Sequence, residues 1–178
     1  MNFEVEAKFK VKELESFENN LIELNAEFSH IVRQTDTYFS SRKVMRKGTG
    51  MRIRKEKTAD GEITMITFKG PRQRGEFKSR TEIELEVDDA GKALALLNEL
   101  TLSPTLIIDK LRKVYDLDNC QVCLDKVNRL GMFIEIEGPD DATIEGVRVK
   151  IGLKDFRHLN RGYAHMMSNL NKKLRGED

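Results

Sequence analysis

The chain has 178 residues, 34% of them charged, 39% hydrophobic, and a formal net charge of +1. This length suits one domain with a proper core, and the near-zero net charge offers no global field to recruit nucleic acid or a membrane surface. No apolar run approaches the roughly 20 residues that span a bilayer, and no basic segment precedes an apolar one at the N-terminus. No signal peptide is therefore read, and the cytoplasm is the expected compartment.

The opening stretch, MNFEVEAKFKVKE, alternates Glu4, Glu6, Lys8 and Lys10 with Phe3, Val5, Ala7, Phe9 and Val11. Successive strand residues point to opposite faces, so Asn2–Lys10 reads as a strand with one ionic and one apolar face. Lys12–Phe28 reads as a helix with Leu14, Phe17, Leu21 and Leu24 on one side. Further strands are expected at Thr35–Ser40, Met51–Lys57, Glu62–Lys69, Lys78–Val87, Thr105–Leu117, Gln121–Asp125 and Gly131–Gly138. Ala59–Glu62 (ADGE) is an Asp-Gly hairpin signal. Asp89–Leu100 reads as a helix, N-capped by Asp88 or Asp89. The tail from about Thr143 to Leu174 reads as helical with a break near Gly152, its second part carrying Tyr163, Met166, Met167 and Leu170. Strands joined by short turns favour antiparallel pairing and an α+β fold. A single domain is expected over residues 1–178, strand-rich to residue 140 and helical over 141–178.

Cys120 and Cys123 form a C-x-x-C on a predicted strand. Positions three apart face opposite ways, and no second pair completes a zinc set, so neither redox nor zinc chemistry is expected of them. His30, His158 and His165 read as surface or helix residues.

The ionic alternation recurs. Arg52 and Arg54 share a face, as do Thr67 and Lys69, then Arg80, Glu82, Glu84 and Glu86, then Lys110 and Arg112, then Cys123 and Asp125, then Phe133, Glu135 and Glu137. For any one strand, a solvated outer face is the plainer reading. Taken together the faces are mostly Glu, Arg and Lys, with few of the neutral polar residues that solvated faces mix in. The helices also need an apolar sheet face to cover. If that face is the outside of a curled sheet, the charges line its inside. Periodicity leaves both readings open. A charged lining needs partners, water or a metal. Carboxylates suit Mg²⁺ or Mn²⁺, and guanidinium groups fork onto phosphate oxygens, so a metal-bound polyphosphate would need both sets.

These residues resemble the CYTH superfamily, the triphosphate tunnel metalloenzymes, which includes class IV adenylate cyclases, thiamine triphosphatases and inorganic triphosphatases. Glu4-Val5-Glu6-Ala7-Lys8 matches its E-x-E-x-K signature. QTDTYFS, MRIRKE, TFKGP, RTEIELEV, DKLRKVY and LDKVNRLGMFIEIEG resemble its later strands in the right order, and NRGYAHMM its terminal helix more weakly. The overall look is nearest the class IV cyclase group. The resemblance implies an eight-stranded closed antiparallel tunnel with helices packed outside. It implies a triphosphate gripped by Lys8, Arg52, Arg54, Lys69, Arg80, Lys110 and Arg112, with Lys8 as a candidate base. It also implies Mg²⁺ or Mn²⁺ held by carboxylates among Glu4, Glu6, Glu82, Glu84, Asp125, Glu135 and Glu137. The expected reaction is ATP to cyclic AMP and pyrophosphate. The alternative is hydrolysis of thiamine triphosphate or tripolyphosphate. A non-catalytic polyphosphate-binding module and an ordinary β-sheet interaction protein are the other readings. The partner is a nucleoside triphosphate or another triphosphate, not nucleic acid or a membrane, and a homodimer is left open.

Overall fold

The computed structural model describes residues 2–40, 48–71 and 77–176, and the side chains of residues 2–4, 78 and 79 lie outside that description. Among the described residues eight strands are formed: β1 (Asn2–Val11), β2 (Glu27–Ser40), β3 (Gly50–Lys57), β4 (Glu62–Lys69), β5 (Lys78–Glu86), β6 (Ser103–Leu117), β7 (Cys120–Val127) and β8 (Gly131–Gly138). Four helices among the same residues accompany them: α1 (Glu15–Glu23), α2 (Ala90–Glu99), α3 (Asp141–Lys150) and α4 (Tyr163–Arg175). The strands close into one barrel in the order β1-β5-β4-β3-β2-β6-β7-β8, and every pairing is antiparallel. Closure leaves no sheet edge to manage.

The apolar faces point outward, and helices cover them on β1, β7 and β8 and around Phe39 and Ile53, whereas Ile83, Leu85 and Ile107 stay exposed. Val5, Ala7, Phe9, Val122, Leu124, Ile134 and Ile136 form one core with Phe17 and Leu21 of α1 and Ile144 and Val147 of α3. Burying each such aliphatic or aromatic side chain is worth about 1.5–3 kcal/mol, enough to commit that face to the helices and the ionic face to the interior. A second core places Ala93 and Leu97 of α2 on Phe39 and Ile53. The third core is inside. Ile108, Val127 and Phe133 continue the inward series of β6, β7 and β8, and Tyr163 and Met167 pack on them. Thus α4 covers one end of the barrel, whereas the other three helices flank its wall.

The boundaries depart from the sequence reading chiefly between α1 and β2, where β2 begins at Glu27 rather than Thr35. The predicted helix to Phe28 stops at Glu23, because Asn25 takes φ 55 and turns the chain into β2. The tail breaks near Gly152 as expected: Gly152 takes φ +87 just beyond α3, and Tyr163 opens α4. Asp89 caps α2 as expected, its Oδ1 accepting from Gly91 N–H at 2.8 Å and Lys92 N–H at 3.0 Å. Among the described residues no helix is long and apolar enough to cross a membrane.

Candidate active site

The barrel encloses a cavity of about 1030 Å³, at the upper end of the roughly 300–1,000 Å³ typical of small-molecule sites. The predicted cations Lys8, Arg52, Arg54, Lys69, Arg80, Lys110 and Arg112 all border it. So do Glu6, Glu82, Glu84, Glu135 and Glu137. Glu4 is in register with Arg80 on β5, but its side chain lies outside the described residues.

Strand register turns these charges into pairs. Lys8 lies opposite Glu135, Lys69 opposite Glu82, Arg112 opposite Asp125 and Arg54 opposite Asp36. Each of these pairs makes an ion contact. Lys8 Nζ meets Glu135, and Lys69 Nζ meets Glu82. Arg112 forks onto Asp125 through Nε and Nη2, both at 2.7 Å, and also touches Glu135 and, at 3.5 Å, Glu137. Lys110 Nζ lies 3.4 Å from Asp125, and Tyr163 O–H donates to the same carboxylate at 2.8 Å. The interior is therefore charged and largely paired, which offsets part of the cost of burying it.

Asp125 departs from the expectation of a metal ligand. It is 0% exposed, does not border the cavity, and has both oxygens filled by Arg112, Lys110 and Tyr163. Strand parity assigned its face correctly; the depth of the side chain depends on the packing of α4. Burial works to raise its carboxyl, but Arg112 and Lys110 hold it well below the usual carboxylate range.

The lysines carry the opposite perturbation. Burial pulls the Lys8 ammonium down to about 7, with Asp125 opposing the shift and Arg112 adding to it. Its Nζ also sits 3.9 Å from the centre of the Tyr163 ring. Burial, then repulsion from Arg52, brings Lys69 to about 8. Lys110 is lowered by burial and by Arg112. An amine near neutrality can exchange a proton at working pH, and it gains charge readily when an anion arrives.

Several residues here were not singled out from sequence. Asp36 anchors Arg52 and Arg54 from β2. Gln34 donates to Glu56, and its own Oε1 is buried without a hydrogen-bond partner. Thr67 bridges Arg52 and Glu84. Gln34, Asp36 and Tyr38 alternate in the sequence, and that spacing was the available signal. The histidines are also closer to the site than expected. His30 and His165 border the cavity, and His158 Nδ1 accepts from the Lys8 backbone N–H at 3.3 Å. Cys120 and Cys123 are both buried free thiols. Burial pushes Cys123 up to about 12, which leaves it unreactive.

The cavity carboxylates suit a hard divalent ion in donor chemistry. Glu6 and Glu137 lie directly opposite each other on β1 and β8. Like charges in that position are unfavourable, and a cation relieves them. Among the described residues, no three acidic, imidazole or thiol groups yet converge on one point; the glutamates are turned toward lysines and arginines.

Residues 2–163 match the CYTH domain. A Methanocaldococcus jannaschii protein named "Putative adenylate cyclase MJ0240" is 31% identical over 136 residues, 75% of this chain and 75% of its own length. A conserved hypothetical protein of Pyrococcus furiosus, solved as a structure, is 30% identical with a TM-score of 0.78, covering 90% of this chain and 97% of its own. A Hippeastrum protein described as a "putative adenylyl cyclase" with a dominant triphosphatase activity shares the fold, with a TM-score of 0.69 at 15% identity over 95% of this chain and 96% of its own. Matched from residue 2 to residue 163 and built on the same barrel, the chain belongs to the CYTH domain family.

Proposed function

We propose that the barrel binds a triphosphate together with Mg²⁺ or Mn²⁺ and converts ATP to cyclic AMP and pyrophosphate. The observation that carries the triphosphate reading is the set of seven cations, from Lys8 to Arg112, bordering one cavity with glutamates set among them. Pure anion binding needs only the cations; the glutamates add the oxygen donors of a divalent ion. Glu6, Glu82, Glu84, Glu135 and Glu137 are the described residues that would hold it, with Glu4 beside them. When bound, the ion neutralises phosphate charge and polarises the phosphorus–oxygen bonds.

The residues of the chain supply the rest. Arginine forks and lysine ammonium groups take the phosphate oxygens in place of their present carboxylates. In the cyclase reaction the ribose 3′-oxygen bonds to the α-phosphorus, the bond to the β-phosphate oxygen breaks, and pyrophosphate leaves. The 3′-hydroxyl proton passes to a base, and Lys8, poised near neutrality, is the group available. The adenylate cyclase name of the archaeal relative supports this choice of reaction.

Hydrolysis of a triphosphate is the second reading. The same lowered Lys8 favours it, since a neutral amine can deprotonate water as readily as a ribose hydroxyl. The triphosphatase activity of the Hippeastrum protein is in line with it. Chromatography of products from ATP, tripolyphosphate and thiamine triphosphate, each with Mg²⁺ or Mn²⁺, tests both. Cyclic AMP with equal pyrophosphate supports the cyclase. Orthophosphate with no cyclic AMP sinks it in favour of hydrolysis. No product from any substrate leaves only a binding module.

Lys69 also gives a pH prediction. Burial, then repulsion from Arg52, brings it to about 8, and a triphosphate beside the amine favours its charged form, so binding near pH 8 is expected to take up protons. Calorimetric titration with tripolyphosphate in buffers of different ionisation enthalpy reads that uptake directly. Lys69→Met is expected to remove a large part of it, whereas Lys8, which must stay neutral to act as base, contributes little. Binding with no proton uptake in the wild type would show that Lys69 does not gain charge on the ligand.

A further inference from the structure

Asp36 and Asp125 stand apart from the other interior carboxylates. They are 2% and 0% exposed and border no part of the cavity. Among the described residues, the carboxylates that do border it are all glutamates. Glutamate has one more torsion than aspartate and can swing away from its partner, whereas a short, enclosed aspartate cannot.

Asp36 is the convergence point of three donor groups. Arg54 donates from Nε to Oδ1 at 2.6 Å and from Nη2 to Oδ2 at 2.8 Å. Arg52 Nη1 lies 3.4 Å from Oδ2, and the Tyr38 hydroxyl donates to Oδ2 at 3.3 Å. The contacts on the far side of the same two guanidinium groups are longer and more open. Arg54 Nη1 is 3.5 Å from Glu56, and Arg52 Nη2 is 3.9 Å from Glu84, whose side chain is 47% exposed. A guanidinium is planar, so fixing one edge fixes the direction of the other.

We infer that Asp36 is a positioning residue for the triphosphate: it holds the planes of Arg52 and Arg54 so that their remaining N–H groups meet phosphate when Glu56 and Glu84 give way. This rests on the triphosphate reading above. Asp36 keeps its partners when ligand arrives, while the glutamates exchange theirs. It touches neither substrate nor reacting atoms and acts only through the two arginines.

Two effects of removing it oppose each other. Losing a negative charge makes the cavity more attractive to a polyanion. Losing the anchor lets two guanidinium groups turn, and displacement of a positioning group by about 1 Å can cost around 100-fold in rate. Binding and turnover should therefore separate, which loss of folded protein alone would not produce.

The test uses the full chain with Asp36→Asn and Asp36→Glu, measuring kcat and KM for ATP and tripolyphosphate with Mg²⁺ alongside circular dichroism. Both folded variants are expected to lose about 10- to 100-fold in kcat. KM in Asp36→Asn should be unchanged or lower. Asp36→Glu restores the charge but not the distance, so it is expected to recover only part of kcat. Wild-type kcat in either folded variant overturns the inference. Failure of both to fold also overturns it, since Asp36 would then serve the fold alone. A wild type that neither binds nor turns over either triphosphate sinks the functional reading, and this inference with it.

Discussion

Asp125→Asn is expected to destabilise the protein by about 3–5 kcal/mol, the usual cost of leaving a buried charge without its partner. For a chain of this size that lowers the melting temperature by on the order of 10 °C. The substitution keeps the side-chain volume, so no cavity is made. It removes the charge that faces Arg112 and Lys110, both buried and 6% and 4% exposed. The Tyr163 hydroxyl loses its charged acceptor at the same time, which loosens the contact between α4 and the barrel wall. Glu84→Gln is the control: that side chain is 47% exposed and its nearest cation is 3.9 Å away, so its loss should cost under about 1 kcal/mol. Thermal unfolding followed by circular dichroism measures both. A melting temperature within a degree of wild type for Asp125→Asn would mean that the interior is hydrated well enough to do without the pair.

The same carboxylate sets an acid limit. Its folded pKa is depressed, so its stabilisation is complete above the unfolded value and is lost as pH falls toward the folded one. Asp36 acts in the same direction. Wild-type stability should therefore decline below about pH 4, and Asp125→Asn should decline less steeply over that window.

Much of this was legible in the sequence because strand parity is a strong signal. Glu6 and Lys8 sit between Val5, Ala7 and Phe9, and the chain folds with the apolar set against α1 and α3 and the charged set inside. The resemblance to a known family supplied the closure of the sheet, which alternation alone left undecided. What parity does not carry is register and depth. Asp125 shares its face with Cys123, but only the placement of α4, with Tyr163 reaching inward, makes it a buried anchor rather than a cavity wall. Tyr163 was read as part of an apolar helix stripe, which it is, packed beside Met167; its hydroxyl is what the stripe conceals. The sequence reading starts this strand at Thr35, which leaves Gln34 outside and hides the alternation through Tyr38 that carries Asp36. The turn at Asn25 accounts for the difference: it ends the helix early, and β2 begins at Glu27, well before the β-branched run that marks a strand.

Glu82→Gln with Glu84→Gln is expected to cut turnover by at least about 1,000-fold while leaving the barrel folded. The two carboxylates share one face of β5, and both border the cavity. Glu82 now holds Lys69 and Arg80, and Glu84 accepts from Thr67 at 3.0 Å. A glutamine keeps the size and one acceptor oxygen but not the charge that a divalent ion requires. The stability arm separates metal from phosphate. Any ligand that binds only the folded state stabilises it by about 2.7 kcal/mol at a hundredfold excess over its dissociation constant. In the wild type, tripolyphosphate with Mg²⁺ should therefore raise the melting temperature more than tripolyphosphate alone. In the double variant the increment due to Mg²⁺ should vanish. The metal-free shift should persist or grow, because Lys69, Arg80 and Arg52 have lost competing carboxylates and their charge is released to phosphate. Turnover at the wild-type level, or an undiminished Mg²⁺ increment, would remove Glu82 and Glu84 from the metal site and shift that role to the facing pair Glu6 and Glu137, where two like charges already stand opposite each other across β1 and β8.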